Sequence, residues 1–348
     1  MALRVVQWTT GNIGRSAAAA IAARPDLELV GCYAWSADKV GRDVGELCGF
    51  EPIGVAASDD VDALLALRPD CVVYNPMWSS VDELVRILES GANVVTTAAF
   101  INGTNLGPDR KRLVDACERG GATLFGTGVS PGFVDMLGVV MAGISDRVDK
   151  ITVSESAHTM GYDSPDTEKP AGFGRPMDDP QLPAMTAAGT AVFREAVEMV
   201  ADALGVELDE VVCETEYAAA LEDLDLGSWH IDRGCVAGVA ASWQGRVGGR
   251  TLVDLNVRWK KAPVLEPNWT IQDGWVVEVA GRPTVKTTVS FLPPPDFEAK
   301  TLEEFMVLGN IMTAMPAVNA IPGVVAAAPG IASYADIPLP QPRGLVRL

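Results

Sequence analysis

Apolar and polar positions fall into two regimes along the chain. Through the first 130 residues, short apolar runs alternate with stretches whose apolar positions recur every three or four residues. The runs predict strands over 3–8, 27–34, 70–74, 93–97 and 122–126, and the periodic stretches predict helices over 16–23, 59–67, 80–90 and 107–120. Val81, Leu84, Val85 and Leu88 make the apolar face of the third helix, and Pro108 opens the fourth near its first turn. Such alternation predicts a parallel, doubly wound α/β sheet.

The second regime begins near Lys150. A strand over 151–156 is followed by 159–189, a stretch with five prolines and no sustained periodicity that reads as a lid or binding loop. A helix over 190–204 presents Phe193, Ala196, Val197, Val200 and Leu204 on one face. Strands are then expected over 211–218, 236–243, 251–260, 275–280 and 285–291. In the third of these, Val253, Leu255, Val257 and Trp259 alternate with Leu252, Asp254, Asn256 and Arg258; one buried and one wet face suit an antiparallel sheet. Pro293-Pro294-Pro295 breaks the pattern before a final helix over 301–314 and a tail rich in proline and glycine.

Composition narrows the field. A chain of 348 residues, 48% hydrophobic, has material for two ordinary domains. Its net charge of −19 opposes nucleic acid and anionic membrane surfaces as partners. The six cysteines, Cys32, Cys48, Cys71, Cys117, Cys213 and Cys235, form no C-x-x-C pair and read as reduced thiols. His158 and His230 are the only histidines, so no zinc cluster is expected. The opening residues lack a signal-peptide pattern and no apolar run reads as membrane-spanning, which together point to the cytoplasm.

The densest chemical signal lies in the first fifteen residues. The opening strand runs into Thr9-Thr10-Gly11-Asn12-Ile13-Gly14-Arg15 and then an alanine-rich helix. Gly11 lets the backbone approach a diphosphate, Gly14 lets the helix pack on the strand, and the helix's free N–H groups and dipole hold the anion. This Rossmann-type turn, with Thr9 where a first glycine is usual, predicts a dinucleotide held around Thr9, Thr10, Gly11, Asn12, Ile13, Gly14 and Arg15. The second strand ends in Ala34-Trp35-Ser36-Ala37, without the carboxylate that takes both ribose hydroxyls of NAD. Ser36, Lys39 and Arg42, with Arg15, suit a 2′-phosphate, so NADP is expected over NAD, with Trp35 in the same loop. Asn75-Pro76 and Ala98-Ala99-Phe100 follow later strands, at the carboxyl edge where ligands bind in such sheets.

Taken with Gly126-Thr127-Gly128-Val129-Ser130-Pro131-Gly132-Phe133, Gly172-Phe173-Gly174, Asn319-Ala320-Ile321-Pro322 and Ala328-Pro329-Gly330-Ile331, the early glycine turn resembles the dihydrodipicolinate reductase-like oxidoreductases. Within them it is most similar to 2,4-diaminopentanoate dehydrogenase and its amine dehydrogenase relatives. The resemblance implies an N-terminal Rossmann domain (1–134), an α+β substrate and oligomerisation domain on a mostly antiparallel sheet (135–300), and a C-terminal helix and tail (301–348) packing back near the first domain. It implies hydride exchange between NAD(P)H and a C=N or C–N centre, with Ser130, Pro131, Gly132 and Phe133 beside the nicotinamide, and a homodimer formed through the antiparallel sheet. The amine dehydrogenase branch has an acidic residue after the strand that here ends at Thr97, but this chain continues Ala98-Ala99-Phe100-Ile101-Asn102. The paired histidines and nearby lysine of the reductases are also missing around His158.

With a nicotinamide carrying the redox chemistry, the protein must supply alignment and a proton. His158 is the leading donor because its titration range suits acid–base work. Tyr162 and Asp163 follow in the proline-rich stretch, Asn102 and Thr97 are uncharged groups able to orient a substrate, and His230 is a second histidine to weigh. Glu168-Lys169-Pro170 looks like the signature of glucose-fructose oxidoreductase relatives but lies far beyond the strand whose end carries their lysine; it reads as coincidence, with Lys169 a solvated loop charge. The expected protein is an NADP-dependent oxidoreductase acting on a C=N, C=O or C=C centre of a small, apolar substrate. The missing carboxylate keeps open a non-catalytic NADP(H)-binding sensor or partner protein.

Overall fold

The computed structural model describes residues 1–98 and 100–346. It divides into two compact units, residues 1–133 with 307–348, and residues 134–306. The first unit opens with β1 (Leu3–Trp8), α1 (Asn12–Ala22), β2 (Leu27–Tyr33), α2 (Val44–Cys48), β3 (Ala57–Ser58), α3 (Val61–Ala66), β4 (Cys71–Tyr74), α4 (Val81–Glu89), β5 (Asn93–Thr96), α5 (Pro108–Gly120) and β6 (Thr123–Gly126). Val5, Val6 and Trp8 of β1 are fully buried, and β1 lies between β2 and β4, parallel to both. Around it Tyr74, Leu84, Leu88, Val94, Phe100 and Leu124 form one apolar core. The expected helices over 59–67 and 80–90 begin later because Asp60 and Ser80 stand outside them as caps, accepting the N–H groups of Ala63 at 3.0 Å and Glu83 at 3.3 Å. The two short elements α2 and β3 carry no readable period and were not anticipated.

The second unit contains α6 (Val134–Ala142), β7 (Arg147–His158), α7 (Pro165–Glu168), α8 (Leu182–Gly189), α9 (Val192–Ala203), β8 (Glu210–Ala220), β9 (Leu224–Asp225), β10 (His230–Ile231), β11 (Val236–Val247), β12 (Arg250–Lys260), β13 (Leu265–Glu266), β14 (Gly274–Arg282) and β15 (Val285–Val289). Its seven-stranded sheet has the order β13-β8-β11-β12-β7-β14-β15. Every neighbouring pair is antiparallel except β7 with β12, whose parallel register sets His158 opposite Lys260. Phe193, Ala196, Val197 and Val200 of α9 are buried, as their spacing predicts, and Gly245 leaves room for Val197, whose Cγ1 lies 2.7 Å from where a Cβ would stand.

Two expectations fail in this unit. The side of β12 expected to be wet is partly covered: Asp254 is 9% exposed, bonded to Lys150 at 2.5 Å and Ser242 at 2.9 Å, because long polar side chains of neighbouring strands close over it. Nor is 159–189 structureless. It forms α7, a 3-10 turn at Lys169–Ala171 and α8, and its Ala171, Phe173 and Leu182 join a core with Trp229, Leu265 and Trp269. Prolines at helix starts, where an N–H is dispensable, hid these helices in the pattern.

The chain returns to the first unit through α10 (Leu302–Val325) and β16 (Gly330–Ala332). The helix runs past the expected end at 314, through Pro316 and Pro322, because Ala314, Ala317, Val318, Ala320, Ile321 and Val324 are all buried and offset what each proline costs. By length and composition Glu304–Val325 is thus long and apolar enough to cross a bilayer, which corrects the reading that no such stretch exists. Arg24, its side chain fully buried, ties α1 to this helix by donating to Asn319 Oδ1 at 2.8 Å while gripping Asp26. The Ala328-Pro329-Gly330-Ile331 segment is not tail: it supplies β16, parallel to β6, and completes a sheet ordered β16-β6-β5-β4-β1-β2-β3.

Candidate functional site

The β1–α1 turn is built to leave donors open. Thr9 adopts φ +73°, the left-handed conformation that glycine usually supplies at this point. It is held there by its N–H on Tyr33 O at 3.0 Å, its Oγ1 on Asn75 O at 3.0 Å, and Gln7 Nε2 on its carbonyl at 3.0 Å. A Cβ on Gly14 would stand 2.3 Å from Thr9 O, so only glycine lets α1 seat on the turn. A Cβ on Gly11 would meet nothing within 4 Å, so the space over the turn is open. Unlike α2, α3 and α4, which are capped by Asp43, Asp60 and Ser80, α1 has no side-chain cap. Among the described residues the N–H groups of Asn12, Ile13 and Gly14 find no acceptor and the buried Thr10 hydroxyl finds no partner. An uncapped helix N-terminus over open space fits a diphosphate.

Next to this turn is a cationic corner. Burial pushes the Cys48 thiol up to about 11 while the charges of Arg15 and Lys39 pull it back, so both cations stand near one thiol. The Lys39 N–H bonds to Ser36 O at 2.9 Å and Arg42 N–H to Lys39 O at 3.1 Å, which folds Ser36, Lys39 and Arg42 into one turn. Among the described residues none of the three cations has a carboxylate partner. Trp35, at the end of β2, is 75% exposed, and Met77 and Trp78, beyond β4, are 60% and 63% exposed. Large apolar side chains left that open suit a planar ligand.

Other expected cofactor contacts face inward. Asn75 is buried, its Oδ1 accepting from Gln7 at 2.9 Å and its Nδ2 donating to Thr97 at 2.7 Å, so its side chain ties β1, β4 and β5 together. Pro76 beside it is half-buried. Ala98 and Phe100 are buried, with Phe100 in the core; Ala99 lies outside the described residues. Asn102 is half-buried, and its Oδ1 accepts the Thr104 N–H at 3.0 Å. Ser130, Pro131 and Phe133 are half-buried around Gly132, whose φ is +131° and where a Cβ would stand 2.7 Å from Thr127 Oγ1, leaving no place for a side chain.

In the second unit His158 lies at the end of β7 with its ring 40% exposed. Asp273 holds it twice, accepting the His158 N–H at 2.9 Å and standing 3.3 Å from Nδ1, which leaves Nε2 for other partners. Asp273 carried no signal in the sequence. His230, its side chain 75% exposed and 3.5 Å from Asp232, is a surface residue. Tyr162 is 42% exposed and its ring lies 5.9 Å from Lys261 Nζ.

Lys261 and Glu168 are the functional candidates that the sequence reading missed. The Lys261 side chain is fully buried and pairs with Glu168, itself 6% exposed. Burial pushes the Glu168 carboxyl up to about 6 against the pull of Lys261, and burial lowers the Lys261 ammonium. Lys169 is exposed as expected, with its Nζ 5.4 Å over the Trp229 ring. Glu-Lys-Pro was the available signal, but the partner that makes its glutamate unusual, Lys261, lies just beyond the end of β12.

Comparison with known proteins agrees with this architecture. Residues 5–102 match the dihydrodipicolinate reductase N-terminus, and residues 133–345, more than half of the chain, match the 2,4-diaminopentanoate dehydrogenase C-terminal domain. An amine dehydrogenase of Streptomyces virginiae is 33% identical over 97% of this chain and 96% of its own. The 2,4-diaminopentanoate dehydrogenase of Acetoanaerobium sticklandii is 24% identical over 97% and 94%. The fold of the Mycobacterium smegmatis amine dehydrogenase superimposes with a TM-score of 0.77 at 20% identity, covering 98% of each chain. The chain therefore belongs to the dihydrodipicolinate reductase-like family, in its 2,4-diaminopentanoate dehydrogenase and amine dehydrogenase branch, and is an NAD(P)-dependent oxidoreductase.

Proposed function

We propose that the enzyme prefers NADP and exchanges a hydride between the nicotinamide and a C=N centre of a small, apolar substrate, acting in the cytoplasm as a homodimer formed through the second unit's sheet. The observation that carries the cofactor reading is the uncapped α1 N-terminus next to Arg15, Lys39 and Arg42, cations without carboxylate partners among the described residues in a chain of net charge −19. Backbone N–H groups of Asn12, Ile13 and Gly14 would hold the diphosphate, Ser36 with Lys39 and Arg15 the 2′-phosphate, and Trp35 the face of the adenine. When bound, the nicotinamide supplies or accepts the hydride. His158, oriented by Asp273, is the proposed proton donor, with Tyr162 and Asn102 orienting the substrate.

Calorimetry tests the cofactor half: NADPH binds more tightly than NADH, and Lys39→Ala weakens NADPH about tenfold, an effect of ~1.4 kcal/mol, while sparing NADH. Equal losses for both remove the phosphate assignment. The absence of a carboxylate in Ala98-Ala99-Phe100-Ile101-Asn102 favours a second reading, a non-catalytic NADP(H)-binding protein. Turnover of any amine, imine, ketone or enone removes it. A monomeric mass by light scattering removes the homodimer.

A further inference from the structure

The C-terminal segment reaches the carboxyl edge of the first unit's sheet through a chain of buried hydrogen bonds. Tyr334, just beyond β16, is 5% exposed, and its ring meets Phe125 of β6 edge-on at 5.1 Å. Its hydroxyl lies 2.6 Å from Oγ1 of Thr127, a residue equally buried. Thr127 Oγ1 spends its one proton on Gly128 O at 3.3 Å, so its oxygen accepts from Tyr334. Gly128 O also accepts the Phe133 N–H at 3.0 Å, which closes the turn 128–133. A Cβ on Gly132 would stand 2.7 Å from the same Thr127 Oγ1, so the turn lies directly against this hydroxyl. The Thr127 N–H bonds to Thr96 O at 2.9 Å, which fixes Thr127 to the end of β5. A phenylalanine would pack on Phe125 as well as Tyr334 does; the phenolic hydroxyl, costly to bury, orients Thr127 and through it the turn.

That turn follows β6 as the β1–α1 turn follows β1, both at the carboxyl edge of one parallel sheet in which β5 and β4 stand between them. A dinucleotide with its diphosphate on the β1–α1 turn and its adenine toward Trp35 beyond β2 runs its other half over β4, β5 and β6. We propose that Tyr334 is a positioning residue for the nicotinamide half of the cofactor: through Thr127 it holds Ser130-Pro131-Gly132-Phe133 in the shape against which the ring and its ribose lie. This rests on the cofactor reading above. Tyr334 touches no reacting atom. Without its hydroxyl, Thr127 Oγ1 is free to turn away from Gly128 O, and the closure at Phe133 loosens. The adenine half, held by α1, Ser36 and Lys39, does not depend on this chain of bonds.

The test is calorimetry on the full chain with NADP+ and with adenosine 2′,5′-bisphosphate, which carries the adenine half alone. Tyr334→Phe should bind NADP+ about fivefold more weakly and the bisphosphate as the parent does. Thr127→Val should show the same split, and Thr127→Ser, which keeps the hydroxyl, should bind like the parent. The double variant Tyr334→Phe/Thr127→Val should lose no more than either single one, because both break one chain of bonds. If Tyr334→Phe does not fold, the contrast between Thr127→Val and Thr127→Ser carries the same reading. Unchanged NADP+ binding in the folded variants, or equal losses for both ligands, overturns the positioning role, since a merely structural tyrosine moves both affinities or neither. A parent protein that binds neither ligand removes the cofactor reading itself.

Discussion

Both units hold polar groups that the described residues leave unsatisfied, but they differ in kind. At the β1–α1 turn the open groups are backbone donors at a helix N-terminus, arranged by residues adjacent in sequence. Around Lys261 they are side-chain atoms, brought together from the ends of β7 and β12, from α7 and from the β9–β10 region. A backbone site tolerates most side-chain changes and fails where a Cβ collides. A buried charge site fails when any one charge is removed, because its partner is then left alone in a medium that cannot solvate it.

Lys261→Met should expose that difference most strongly. It leaves the Glu168 carboxylate buried without its cation, a loss of about 3–5 kcal/mol in denaturant unfolding. A cost below about 1 kcal/mol would mean that the pair is solvated and the contrast is false. Next, Gly14→Ala should cost about 1–3 kcal/mol and abolish NADPH binding, since its Cβ meets the Thr9 carbonyl, whereas Gly11→Ala should melt like the parent and lose only cofactor affinity. Equal melting of the two variants would show that the turn can relax.

The pH dependence of stability gives a smaller and signed effect. The Glu168 carboxyl is raised from 4.5 to about 6 by burial, so the folded state holds its proton more tightly than the unfolded state. Its contribution is fully present below pH 4.5 and is lost as pH rises through about 6, a change on the order of 2 kcal/mol. The unfolding free energy of Glu168→Gln should lack that decline, and parallel curves would contradict the assignment. Smallest in stability is Trp35→Ala: with the ring 75% exposed, stability should stay within ~0.5 kcal/mol, while fluorescence titration should show NADPH affinity falling about fivefold to tenfold.

Much of the first unit was legible because its signals are local. A strand, a glycine turn and a helix within residues 3–22 specify one another, and caps such as Asp60 and Ser80 fall within a few residues of what they cap. Asn75 was legible in place but not in use. Its position follows from the strand before it, yet only the register of β1, β4 and β5 brings Gln7 and Thr97 to its side chain. The C-terminal segment was the least legible part. Prolines within α10 argue against a helix on local grounds, and the burial that outweighs them comes from residues far away in sequence.

The sequence by itself determined the alternating first domain, the open turn at its start, the apolar face of α9 and the family. Contiguous residues are enough for these, since periodicity and backbone conformation act over a few positions. Only the tertiary structure decided that α10 and β16 complete the first unit, that Asp273 holds His158, and that Glu168 is a buried carboxylate paired with Lys261. Burial changes what a charged side chain is, and burial is a property of neighbours that no local stretch of sequence names.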